Sequence, residues 1–178
     1  MTTFLNILTI TRILIGAVIF ILLLFDSFFL LALILFIIAG LSDYFDGYLA
    51  RKFDATSQIG EILDPIADKI LIVFLFFGLA LNLSSYIVGF AGALIISREI
   101  WVSALRDFNA RNNNLNATKV TFLAKIKTSV QLFTLFTYLL GLAIDIMLFI
   151  ILADILIVIA ALITLYTGYL YTYNTFKN

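Results

Sequence analysis

Long apolar runs separated by short polar groups dominate this chain. Leu5 to Phe25 is nearly all apolar and is interrupted by Asp26 and Ser27. A second run starts at Phe28 and ends near Arg51, and Lys52 to Gln58 forms a polar connection. Further runs cover about Glu61 to Leu81, Tyr86 to Phe108, Lys119 to Ala143 and Ile146 to Thr172. Each has roughly the 20 residues a helix needs to cross the hydrocarbon of a bilayer. The pattern therefore predicts an all-α integral membrane protein, a six-transmembrane-helix bundle joined by short loops. No repeat or composition break divides it, so residues 1–178 are expected to form a single membrane domain. The start lacks a basic leading segment and a small-residue cleavage site, so it reads as a first span. Pro65 falls in the first turn of the third predicted helix, where proline is tolerated.

Composition agrees with this pattern. Of 178 residues, 63% are hydrophobic, and mean hydropathy is +1.15, well above a soluble domain that is about half apolar. Cysteine and histidine are both absent. Disulfides and thiolate metal sites are thereby excluded, and acid–base work falls to carboxylates, lysines or tyrosines. Formal net charge is zero, which by itself argues neither for nor against nucleic acid; on the reading as a whole no nucleic-acid partner is expected. The charges are nonetheless partitioned. In the six-helix topology every lysine and arginine lies on or nearer the side shared by both termini and the loops at 51–60 and 109–118. The opposite turns carry Asp26 and Asp145. The positive-inside rule makes the basic side, and both termini, cytoplasmic. Tyr166, Tyr169, Tyr171 and Tyr173 read as an aromatic belt at that interface, and Gly89 and Gly92 as places where helices approach closely.

The chemistry concentrates between Asp43 and Lys69. Asp43 and Asp46 are three apart, and Asp64 and Asp68 are four apart. On helices each pair shares a face, about 4.5 and 6 Å apart along the axis. Carboxylates at a membrane boundary need neutralising. Four anionic oxygen donors suit a pair of hard divalent cations, Mg²⁺ or Mn²⁺, and two such ions clamp in-line displacement at phosphorus. Gly47 and Ala50 lack bulk, so a ligand can approach that helix closely. Arg51 can meet a phosphate with a forked pair of hydrogen bonds.

A second polar group lies downstream. Arg98 and Glu99 interrupt an apolar helix, and Glu99 and Arg106, seven apart, face the same way. Lys125 and Lys127 are about 200° apart around a helix, so at most one points straight into a common cleft. Arg98, Arg106, Lys125 and Lys127 are candidates for holding an acceptor's phosphate. Asn6, Thr9 and Arg12 form a polar stripe at threefold spacing, which faces either substrate or another helix. Asp154 lies about two turns inside the sixth run with no evident partner, an intramembrane carboxylate to be explained.

The stretch DYFDGYLARKFDATSQIGEILDPIADK also resembles a family signature. Written D-x2-D-G-x2-A-R-x8-G-x3-D-x3-D, it is filled at every fixed position by Asp43, Asp46, Gly47, Ala50, Arg51, Gly60, Asp64 and Asp68. This is the signature of the CDP-alcohol phosphatidyltransferases. The segments Gly60–Lys69, Arg98–Arg106 and Lys125–Thr128, with the opening Asn6–Arg12, look most like the phosphatidylglycerophosphate synthase branch. Ala124 departs from that branch, which usually has glycine there. The last span carries no recognised motif.

The resemblance implies specific roles. Asp43, Asp46 and Asp64 would be metal ligands, with Asp68 the general base and a possible ligand of the second ion. Asp46, Gly47, Ala50, Arg51 and Gly60 would hold the CDP moiety. The implied reaction joins CDP-diacylglycerol to sn-glycerol 3-phosphate in the cytoplasmic (inner) membrane, at the cytoplasmic end of a homodimer's bundles, with two Mg²⁺ or Mn²⁺ per site. The alternative is the same donor with another acceptor, such as inositol phosphate, serine or phosphatidylglycerol.

Overall fold

The structure, a computed structural model, describes residues 2–52, 58–119 and 122–177. Within these, the side chains of residues 2–6, 46–51, 58–59, 61–62 and 115 lie outside the description. The polar connection expected at 52–58 therefore falls almost wholly outside it.

Six long helices carry the described chain: α1 Thr2–Leu23, α2 Phe29–Lys52, α3 Gln58–Asn82, α4 Tyr86–Arg111, α5 Phe122–Ile144 and α6 Met147–Phe176. Two short 3₁₀ turns, Asp26–Phe28 and Leu115–Thr118, lie between them. No strand occurs among the described residues. Helices satisfy most backbone polar groups within their own segment, as lipid demands. The chain reverses at non-glycine residues in the left-handed region, Ser84 (φ 47°), Asn113 (φ 54°) and Asp145 (φ 54°). Asparagine and aspartate tolerate that region better than most residues. Ser85 starts α4, its hydroxyl accepting from the Val88 amide.

Packing closes the helices into a ring in the order α1, α3, α4, α6, α5, α2 and back to α1. Polar contacts fix the directions. Thr9 meets Asp64 and Arg12 meets Asp68, so α1 and α3 run parallel. Gln131 meets Thr164 and Tyr138 meets Asp154, so α5 runs against α6. Arg98 meets Thr167 and Asn109 meets Thr175, so α4 runs parallel to α6 and α5 against both. At the far end Asn82 Nδ2 donates to Asp26 Oδ1 at 3.3 Å, tying two turns together. The apolar core fills the middle and this far end, around Ile19, Phe36, Leu75, Leu79, Ile95, Leu139 and Ile157. At the other end the interior is polar.

The outer face is apolar. Leu14, Phe90, Ile100, Leu148 and Leu162 all project outward, the inverse of a water-soluble surface and the mark of a lipid-facing one. Four helical stretches are long and apolar enough to cross a membrane: Asp26–Phe45, Tyr86–Arg111, Asn116–Ile144 and Met147–Phe176. In α1 the apolar part, Ile7–Leu23, is shorter. Helix α3 is apolar only beyond Lys69, because its first turns carry the aspartates.

Three expectations change. Helix α3 begins at Gln58, so Pro65 is its eighth residue and lies inside the helix. Lacking an N–H, it leaves the Glu61 carbonyl without its usual partner, beside Asp64. Gly92 is a close-approach point, since a Cβ there would lie 3.0 Å from Phe76 Cβ, whereas a Cβ at Gly89 would make only an ordinary contact, 3.8 Å from Ala80 Cβ. Tyr171 is buried at 2% exposure, while Tyr166, Tyr169 and Tyr173 face outward as the belt reading expects.

Candidate active site

The polar end of the bundle gathers residues from all six helices. Arg12 projects from α1 into the space between α2 and α3 and is 1% exposed. Its Nη1 lies 2.8 Å from Asp43 Oδ1 on α2 and 2.8 Å from Asp68 Oδ1 on α3. One guanidinium nitrogen thus spans two carboxylates 25 positions apart in sequence. One turn nearer the start of α1, Thr9 Oγ1 donates to Asp64 Oδ1 at 2.8 Å. The polar stripe at Thr9 and Arg12 therefore faces another helix, and that helix carries the aspartates. The Asp43 and Asp68 side chains stay about half exposed, at 52% and 50%, so their remaining oxygen atoms are open to a ligand.

Asp46, Gly47, Ala50 and Arg51 lie on α2, and Asn6 on α1; their side chains are outside the description. Gly60, half-buried, sits in the first turn of α3. Among the described residues no three acidic side chains converge as ligands of one ion. The donor set, Asp43, Asp64 and Asp68, is nonetheless of the right chemistry for a hard divalent cation: carboxylate oxygens, partly open, with no competing thiolate or imidazole in the chain.

Beside Asp68 opens a cavity of about 560 Å³ between α3, α4 and α5. Its charged lining is Asp68, Lys69, Arg98, Glu99, Arg106, Lys125 and Lys127, five basic residues against two acidic ones. The four expected phosphate-binding cations thus share one space with the expected base. Their surroundings differ. Glu99 is the internal counter-ion: Arg98 Nη1 donates to its Oε1 at 3.0 Å, and Lys127 Nζ pairs with the same oxygen. Arg98 and Lys127 are buried, at 6% and 5% exposure. Arg106 and Lys125 are exposed, and neither has an acidic partner among the described residues. Both members of the Lys125/Lys127 pair line the cavity, Lys127 from the buried side and Lys125 from the rim, where it also faces an outer groove with Phe122 and Ser129. Lys69 is held by Ser103, its Nζ donating to Oγ at 2.6 Å. Ala124 lines the cavity too and packs on Val102, Leu105 and Tyr171, so the methyl group that departs from the branch pattern is accommodated.

Sequence reasoning missed the contribution of α6. Thr167 Oγ1 accepts from Arg98 Nη2 at 2.9 Å, and the Tyr171 ring lies beneath the guanidinium groups of Arg98 and Arg106, at 5.5 and 5.9 Å. The available signal was a stripe, Thr164, Thr167, Tyr171 and Thr175, at helical spacing and facing inward. Asp154 also has a partner: Tyr138 Oη donates to its Oδ1 at 2.6 Å.

The chain matches the CDP-alcohol phosphatidyltransferase family model over residues 3–167. Among its relatives are three proteins named CDP-diacylglycerol–glycerol-3-phosphate 3-phosphatidyltransferase. The one from Wigglesworthia glossinidia brevipalpis is 40% identical over 109 residues, 60% of this chain and 58% of that protein. The one from Rickettsia bellii is 37% identical over 143 residues, 80% of this chain and 77% of its own length. The Escherichia coli K12 protein is 35% identical over 104 residues, 58% and 57% of the two chains. The match thus spans less than two thirds of the first and last of these relatives.

Proposed function

The chain belongs to the CDP-alcohol phosphatidyltransferase family, and on that premise we propose that it transfers the phosphatidyl group of CDP-diacylglycerol to sn-glycerol 3-phosphate, giving phosphatidylglycerophosphate and CMP. The observation that carries this reading is the cavity that joins Asp68 to five basic residues and only one further acid. Such an excess of positive charge suits an acceptor that brings its own phosphate. A plain alcohol would bring no charge to balance the positive excess that Glu99 and Asp68 leave there. The names of the relatives support the same acceptor.

In this mechanism Asp43, Asp46, Asp64 and Asp68 would hold two Mg²⁺ or Mn²⁺ ions, which when bound would supply neutralisation of the donor's pyrophosphate charge. Asp46, Gly47, Ala50, Arg51 and Gly60 hold the CDP part. Arg98, Arg106, Lys125 and Lys127 draw the acceptor phosphate into the cavity. Asp68 accepts the proton of the acceptor hydroxyl. The hydroxyl oxygen forms a bond to the phosphorus bearing diacylglycerol, the bond from that phosphorus to CMP breaks, and CMP leaves with the electron pair. No covalent enzyme intermediate is needed. The working unit is the single domain 1–178, spanning the inner membrane six times as a homodimer, with the site and both termini cytoplasmic.

The test is an acceptor panel on purified protein with CDP-diacylglycerol: glycerol 3-phosphate, glycerol, inositol phosphate, serine and phosphatidylglycerol. Glycerol 3-phosphate is expected to exceed glycerol by at least tenfold, since a charge-assisted hydrogen bond contributes about 1.5–3 kcal/mol. A faster reaction with serine or glycerol sinks the acceptor assignment. Chelator is expected to abolish turnover. Asp43→Asn, Asp64→Asn and Asp68→Asn should each lower it by orders of magnitude in folded protein, and full activity in EDTA sinks the metal reading.

A further inference from the structure

We infer that α6, which among the described residues lends no side chain to the cavity wall, builds the seat that aims Arg98 and Arg106 at the acceptor phosphate. Thr167, Gly168 and Tyr171 are positioning residues acting through the two arginines. This rests on the phosphate-bearing acceptor proposed above.

Thr167 holds one arm of the Arg98 fork. Its own hydroxyl hydrogen is committed to its helix, with Oγ1 2.9 Å from the Ile163 carbonyl and 3.0 Å from that of Thr164. The oxygen is thereby turned into an acceptor for Arg98 Nη2 at 2.9 Å. Nη1 is fixed at the same time by Glu99. A planar guanidinium gripped at both terminal nitrogens has one orientation left.

Gly168 decides how close the stem can come. A Cβ there would lie 2.9 Å from Arg98 Cγ and 3.3 Å from Nε. The clash is with the root of the side chain, not its flexible tip, so any larger residue displaces the whole guanidinium. Tyr171 then sets the spacing of the two cations. Its buried ring carries Arg98 at 5.5 Å and Arg106 at 5.9 Å. The negative ring face partly offsets their mutual repulsion and fixes both near one point. An acceptor phosphate arriving there finds two guanidinium groups already placed, with less ordering left to do on binding.

The experiment varies glycerol 3-phosphate against fixed, saturating CDP-diacylglycerol, using the full chain with Thr167→Val, Thr167→Ser, Gly168→Ala, Tyr171→Phe and Tyr171→Leu. Thr167→Val and Gly168→Ala are expected to raise the KM for glycerol 3-phosphate roughly tenfold, the loss that follows from misplacing one charge-assisted bond. Both kcat and the KM for the donor should stay within about twofold. Thr167→Ser, which keeps the acceptor oxygen, should restore the wild-type KM. Tyr171→Phe keeps the ring face and should raise the acceptor KM less than Tyr171→Leu, which removes it. Thr167→Val is nearly isosteric, so it carries the test if Gly168→Ala fails to fold. A wild-type protein that ignores glycerol 3-phosphate overturns the acceptor reading and the seat with it. A wild-type protein that uses it, alongside Thr167→Val and Gly168→Ala with unmoved acceptor KM, overturns the seat alone. So does a uniform fall in kcat that Thr167→Ser fails to rescue.

Discussion

Arg12 shows what a single residue contributes at the polar end. Asp43 and Asp68 would repel one another across the helix interface, and the Arg12 guanidinium, itself buried, is the group that lets them face the same space. Arg12→Gln removes that charge and leaves a shorter polar side chain. Because both aspartates are half exposed, solvent screens part of the loss, and a drop in transfer rate of about ten- to a hundredfold is expected. Arg12→Lys should recover part of it, since an ammonium is a point charge without a fork. Initial rates of the purified variants measure this, and wild-type turnover in Arg12→Gln would mean that the bridge does not organise the carboxylates. At this scale the sequence was informative in pieces. The spacings 43/46 and 64/68 gave two carboxylate pairs, and Asn6, Thr9 and Arg12 stood out as polar in an apolar run. That Arg12 joins the two pairs depends on the parallel packing of α1 and α3, a tertiary fact that no local spacing carries.

Helices were legible as elements because their apolar runs are long, but their ends were not. Lys119 and Thr172 looked like boundaries since charge and polarity begin there. In the structure α5 is described from Phe122, residues 120–121 lying outside the described residues, and α6 continues to Phe176, because a helix can extend past the apolar layer and keep its own hydrogen bonds. Helix α6 was the least readable element, with no motif to flag its threonines. Its other polar feature, Asp154, is explained by α5. Tyr138, fully buried, gives its phenol hydrogen to Asp154 at 2.6 Å, which ties the α5–α6 pair together within the apolar core. Tyr138→Phe leaves that carboxyl group without its donor and is expected to lower stability by about 1–3 kcal/mol. Asp154→Asn keeps an acceptor oxygen and should cost less. Unfolding in detergent, followed by circular dichroism, ranks the two. Activity of the folded Tyr138→Phe protein should survive, because Tyr138 and Asp154 line no part of the charged cavity. A Tyr138→Phe protein as stable as wild type would reduce the contact to coincidence.

For the whole molecule, the polar and apolar ends are set by the up-and-down course of the chain. How that course sits in a bilayer turns on one helix. Helix α3 is the critical case. Its apolar stretch begins only after Lys69, yet it packs inside the ring against α1 and α4. Three helices, α2, α3 and α4, separate the turn at Asp26–Phe28 from the turn at Leu115–Thr118. If all three cross, those turns lie on opposite sides of the membrane; if α3 does not, they lie on the same side. Ser27 and Asn116 are exposed, one in each turn, and the chain has no cysteine of its own. Ser27→Cys should therefore react with a membrane-impermeant maleimide in intact cells, and Asn116→Cys only after permeabilisation, because the basic residues gather at the Asn116 end. The reverse pattern would invert the orientation while keeping six spans. Labelling of both from one side would remove α3 as a span and, with it, the aspartates' place at the membrane boundary, where a bilayer lipid and a water-soluble acceptor can meet.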